Sequence, residues 1–206
     1  MNIFMLDENP QTNVEMHCDK HVVKMVIEYA QLMSTAHRVL DGKLYEDRTA
    51  NNRRIKRWLH PNPNMENLLY KASHINHPCG IWLRESAGNY NYLYTLFACL
   101  SKEYTYRYGR VHLTWEKLGD LLKHPPKNSA LNKKGYDATP AMPEECKIPG
   151  DSVASYRKYY IMKKARFATW KNRVPPKWFA EGLIEHLGGT VANGVWGNGK
   201  VIFRGI

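Results

Sequence analysis

One stretch constrains what this chain can fold into more than any other: residues 11 to 40, with HCDKHVVKMVIEYAQLMSTAHRVL at its centre. His17, His21, Lys24, Glu28, Gln31, Thr35 and Arg38 advance by alternate steps of four and three, so on a helix they form one polar stripe. Val22, Val23, Met25, Val26, Ile27, Tyr29, Ala30, Leu32, Met33, Ala36, Val39 and Leu40 fill most other directions. A solvent-facing helix carries a broad polar face. A narrow seam of two imidazoles, a lysine and a carboxylate predicts instead a helix packed on several sides whose seam lines a cleft. The sequence marks this helix as an active-site wall.

The rest of the chain is read around it. At 206 residues it supports one good core, and no internal repeat divides it. The predicted fold class is mainly α: a compact single-domain helical bundle with long loops, residues 1–189 forming the helical domain and 190–206 a C-terminal tail or arm. Asp7-Glu8-Asn9-Pro10 supply capping residues before the first helix, and Gly42 is expected to end it in the left-handed conformation. Residues 43–64 read as a basic loop with one helical turn around Ile55 to Leu59. A short helix over 65–73 and a long one from Gly80 to Tyr108, closed by Gly109, follow. Thr114 is expected to cap a helix from Trp115 to Lys123, which Pro125-Pro126 stops. Lys127 to Gly150 reads as a long surface loop, followed by helices from Val153 to about Lys171 and from Lys177 to Leu187. Turn signals at Asn193-Gly194 and Gly197-Asn198-Gly199 predict a small C-terminal hairpin or a loose arm.

Charge narrows the partner. The net charge is +11, with basic residues clustered in Arg48 to Arg57, Lys123 to Gly135 and Tyr156 to Arg173. Basic clusters interleaved with Tyr, Trp and Phe suit a polyanion that also offers flat faces, which describes nucleic acid better than a membrane or an acidic metabolite. No apolar run is long enough to span a bilayer, and MNIFMLDENP lacks the parts of a secretory signal, so a cytoplasmic location and no membrane partner are expected. The sequence leaves the oligomeric state open. Cys18, Cys79, Cys99 and Cys146 stand apart and are expected to be reduced thiols. His17-Cys18-x-x-His21 invites a zinc reading, but on a helix Cys18 points about 100° away from His17. No metal and no cofactor is expected.

Glu28 lies one turn after Lys24 and nearly two after His21. A carboxylate part-way along an apolar helix suits general acid/base work, and one four residues after a lysine equally suits a structural ion pair. The residues alone leave both readings open. DKHVVKMVIE, in which Asp19, His21 and Glu28 form Asp-x-His-x6-Glu, resembles the corresponding helix of the phage pyrimidine-dimer DNA glycosylases of the endonuclease V type. NHPCGIWLRE (Asn76 to Glu85) is similar to the Asn-His-Pro region of cellular relatives in that family, and YRKYY (Tyr156 to Tyr160) resembles its aromatic, basic DNA-contacting segment. In layout the chain also resembles proteins widespread in tailed phages.

This resemblance implies a compact helical fold whose N-terminus points into the site. The α-amine of the first residue attacks the sugar C1′ of a damaged nucleotide in double-stranded DNA and forms an imine. The helix glutamate stabilises the cation and assists the proton removal that cleaves the strand. The implied catalytic group is Met1, Asn2, His21 and Glu28; the size of Asn2 implies that Met1 is kept and supplies the amine. Gln31 replaces the basic residue that follows the family glutamate by three. Candidate DNA contacts are Lys24, Arg38, Arg53, Arg54, Arg57, Arg84, Lys158, Tyr159, Lys163 and Lys164, with Trp82, Trp170, Trp178 or the tyrosine-rich segments as candidate wedges. A non-catalytic phage DNA-binding accessory protein and a hydrolase of free nucleotides are the alternatives.

Overall fold

The stretch with the polar seam breaks near its start. In the computed structural model, which describes residues 1–131, 137–186, 195–197 and 200–202, Asn9 caps α1 (Pro10–Glu15) by accepting the amides of Gln11 and Thr12. The chain turns through residues 16–18, and α2 (Asp19–Asp41) begins afresh. Asp19 fixes that start. Its carboxylate accepts from Arg107 at 2.9 Å, the Thr169 hydroxyl at 2.7 Å and the Lys171 amide at 2.9 Å, while its own amide donates to the Thr169 carbonyl. A carboxylate in a first helical turn also meets the positive end of the helix dipole.

The predicted helix from Gly80 to Tyr108 is two: α4 (Pro78–Glu85) and α5 (Ala87–Tyr108). Ser86 separates them with extended backbone and caps α5 by accepting the Asn89 amide at 3.1 Å. Helix α2 packs on α4 and α5, and α1 on α5. Gly109 closes α5 at φ 69°, as its type predicts. Gly42 differs from expectation. Its φ is −88°, and it is needed because a Cβ would sit 2.4 Å from the Arg38 carbonyl oxygen.

Residues 43–59 contain a β-hairpin where a loop with a helical turn was expected. Strands β1 (Lys43–Arg48) and β2 (Arg54–Leu59) pair antiparallel, with Leu44 opposite Trp58 and Glu46 opposite Lys56. Such cross-strand pairs stabilise a ribbon whose two faces are both too polar to show an alternation in sequence. Asn52 turns the chain at φ 58°, a conformation Asn tolerates.

Short helices α3 (Pro63–Leu68) and α6 (Leu113–Leu118) follow their caps Asn62 and His112; His112, not Thr114, opens α6. Asp151 caps α7 (Ser152–Tyr159), after which the helix widens into a π turn over Tyr160–Lys164 and tightens over Ala165–Phe167, ending short of Lys171. Helix α8 (Lys177–His186) follows. The long loop after Lys127 is anchored: Ala138 and Cys146 are buried, the latter in a 3-10 turn. β3 (Val195–Gly197) and β4 (Lys200–Ile202) form a C-terminal antiparallel hairpin, and the predicted turn residues Asn193-Gly194 and Asn198-Gly199 lie outside the described residues.

Two features position the site. Ile3, Phe4, Met5 and Leu6 are all buried, so the lead-in is an extended core segment. Arg157 donates to the Leu6 carbonyl at 2.8 Å, and the Phe4 ring packs among Tyr156, Tyr159 and Tyr160. Across the core, Arg107 binds Glu103 at 2.7 Å and Asp19 at 2.9 Å, and Arg173 closes on Glu103 at 2.8 Å. These ion pairs lock α5 to the start of α2 and to the segment before α8.

Candidate active site

The buried lead-in carries the chain's first residue to the middle of α2. The Met1 amine lies 3.5 Å from Glu28 Oε2, and Lys24 Nζ lies 3.0 Å from Oε1. The Met1 side chain is 6% exposed and that of Glu28 12%, whereas Lys24 is 70% exposed. Glu28 is thus a largely buried carboxylate held between two cations, the Met1 amine and the exposed Lys24 amine. The i,i+4 ion pair with Lys24 is present, and the second carboxylate oxygen faces the Met1 amine.

His77, which belongs to the NHPCGIWLRE stretch, stands close enough to this pair to feel both charges. It caps α4, its Nδ1 accepting the Cys79 amide at 3.2 Å, which leaves the proton of the neutral ring on Nε2. Burial lowers its pKa, and the positive N-terminus lowers it further. The signal for it was the His77-Pro78 pair, a cap followed by a first-turn proline.

The rest of the predicted stripe separates into three environments. His17 is fully buried at the break before α2, donating from Nδ1 to the Asn13 carbonyl at 2.9 Å; burial draws its pKa down to about 4. His21 does not join Glu28. Its ring stacks on Phe4 at 4.3 Å and its Nδ1 pairs with the Tyr160 hydroxyl. Burial, reinforced by the charges of Lys164 and Lys24 and by that of His17 once it is protonated, lowers its pKa to about 2. A base with so low a pKa is poorly matched to proton transfer at neutral pH. Asn2 is half-buried in the lead-in.

Arg38, expected on DNA, points inward. Its guanidinium donates to the carbonyls of Tyr70, Trp58, Glu66 and Leu69 and to the Glu66 carboxylate at 2.6 Å, which occupies every donor. It ties α2 to β2 and α3. Arg84 is half-buried and donates to the Ile75 carbonyl at 2.6 Å, shaping the turn that presents His77.

The remaining basic candidates reach the surface. Arg53 and Arg54 are exposed at the hairpin tip, while Arg57 is half-buried with Asp47 3.8 Å away. Lys158 is exposed; Lys163 is exposed and paired with Glu145 at 3.0 Å. Lys164 lies over the Tyr159 ring at 4.3 Å and donates to its hydroxyl at 3.0 Å. Of the candidate wedges, Trp82 and Trp170 are buried in the core; Trp178 is half-buried, with Arg157 over its face. Exposed rings are supplied instead by Tyr45 on β1 and Tyr106 on α5.

No family model, curated protein or solved structure matches this chain. The geometry therefore carries the functional reading. Among the described residues no helix is long and apolar enough to cross a membrane.

Proposed function

We propose that this protein is a DNA glycosylase with associated strand cleavage, acting on a damaged or modified pyrimidine in double-stranded DNA through its own N-terminal amine. The observation that carries the reading is the sheltered contact of the Met1 amine with Glu28 at 3.5 Å. An α-amine, unlike a lysine amine, is neutral in a useful fraction near physiological pH. The neutral amine attacks C1′, the base leaves, and an imine forms between Met1 and the opened sugar. Glu28 stabilises the cationic intermediate and accepts the C2′ proton whose loss breaks the strand. Lys24, largely exposed beside Glu28, is placed to meet the phosphate backbone, and Arg53, Arg54 and Lys158 are further exposed basic groups for it.

The test is imine trapping. Duplex DNA carrying a cyclobutane thymine dimer or another modified pyrimidine is incubated with the protein and borohydride, beside Glu28→Gln and a variant with residues added before Met1. A covalent adduct in the parent that is lost when the N-terminus is extended and much reduced by Glu28→Gln supports the proposal. DNA binding without base release or adduct on any such substrate leaves a non-catalytic accessory protein, and turnover of free nucleotides but not duplex leaves a hydrolase; either result overturns the glycosylase reading.

A further inference from the structure

A second polar cluster lies at the far end of α2, away from Glu28. His37 and Asp41, one turn apart, meet His60, which follows β2. One ligand atom from each of the three lies within 4.8 Å of the others. His37 is 4% exposed and His60 6%, and neither His37 Nδ1 nor His60 Nε2 has a hydrogen-bond partner among the described residues. Two buried imidazole nitrogens without partners are costly in a folded protein unless a further group satisfies them.

The other polar atoms of all three side chains are anchored. Tyr90 donates its single hydroxyl hydrogen to the Leu122 carbonyl at 2.9 Å, so at 2.9 Å from His37 Nε2 it can only accept. His37 Nε2 therefore carries the ring proton, and Nδ1 presents a bare lone pair toward Asp41 Oδ2, 4.0 Å away. Asp41 is oriented by the amides of Lys127 at 2.9 Å and Asn128 at 3.0 Å. The His60 ring is oriented by the Asn62 amide on Nδ1 at 3.2 Å. His37 and Asp41 are held by outer partners as the ligands of a metal centre are, whereas the Asn62 contact of His60 has to be exchanged on binding.

We infer that His37 Nδ1, Asp41 Oδ2 and His60 Nε2 bind one zinc-class divalent cation, which cross-links the end of α2, the end of β2 and the segment at residues 127–128. Two imidazoles and one carboxylate are a zinc donor set, with water taking the fourth position. Ligand atoms of a tetrahedral zinc lie about 3.4 Å apart, so His37 Nδ1 and Asp41 Oδ2, 4.0 Å apart, close by roughly 0.6 Å on binding. The neutral His60 must then move its proton from Nε2 to Nδ1. The exposed Asn62 amide, released from Nδ1, turns to water.

The site is tested on the full chain, prepared without a histidine tag and stripped with a chelator. Titration with Co²⁺ read by its visible absorption, and with Zn²⁺ against a chromophoric chelator, is compared for the parent, His60→Gln and Asp41→Asn. The parent takes up one equivalent with the bands of four-coordinate cobalt. Each variant loses more than about 10-fold in affinity. Zinc raises the melting temperature of the parent and not of His60→Gln; melting of each variant without metal confirms that it is folded. Absence of a bound equivalent in the parent, or equal affinity in the parent and both folded variants, overturns the inference. Neither substitution touches Met1 or Glu28, so imine trapping and metal uptake succeed or fail separately.

Discussion

Lowering the pH from 7.5 to 5 should remove a large share of this protein's stability, because two buried histidines resist protonation. His17 and His21 are buried and neutral, with pKa values drawn down from 6.5 to about 4 and about 2. A depressed pKa contributes stability that is full above 6.5, where neither state binds a proton. That stability is lost as pH falls, because the unfolded chain takes up protons the folded one refuses. At pH 5 the difference is about 2 kcal/mol for each ring, and about 4 kcal/mol together. Folded domains are stable by about 5–15 kcal/mol, so the loss is large. His37, His77 and His112, also lowered by burial, act in the same direction. Urea unfolding at half-unit pH steps measures it. Below pH 6 these two rings should make the stability of the parent fall by about 2 kcal/mol per pH unit, approaching the limit of about 2.7 kcal/mol for two extra protons bound on unfolding. His21→Phe, which keeps a ring against Phe4, should lower that slope by one proton. A stability that stays flat between pH 7.5 and 5, or a slope unchanged in His21→Phe, would refute the burial argument.

Two further outcomes follow from the ion pairs and the hairpin. Arg107→Met leaves Glu103 and Asp19 short of a buried partner and should cost about 3–5 kcal/mol in urea unfolding; adding Glu103→Gln should recover part of it. Arg53→Ala with Arg54→Ala, at the exposed hairpin tip, should leave stability unchanged. It should reduce the dependence of log K on log salt for duplex DNA by about 1.8, the release of two counterions; an unchanged slope removes the hairpin from the interface.

The sequence by itself determined the helical class, the burial of α2 and the place of Glu28 on it, because these depend on the period of apolar residues and on local caps. Asn9, Asp151 and Gly109 act as their types predict, since capping is decided within one turn of chain. The hairpin at residues 43–59 was hidden because its pairing energy lies between strands and both faces meet solvent. The polar stripe looked like one site because spacing alone fixes which residues share a helix face. It says nothing of what each meets across the interface. Only the tertiary structure decided that His21 would face Phe4 and Tyr160, that Arg38 would be consumed by the carbonyls of β2 and α3, and that His37 would find His60. The meeting of Met1 with Glu28 is the same kind of fact: it exists because an apolar lead-in, Ile3 to Leu6, is more stable threaded through the core than in water.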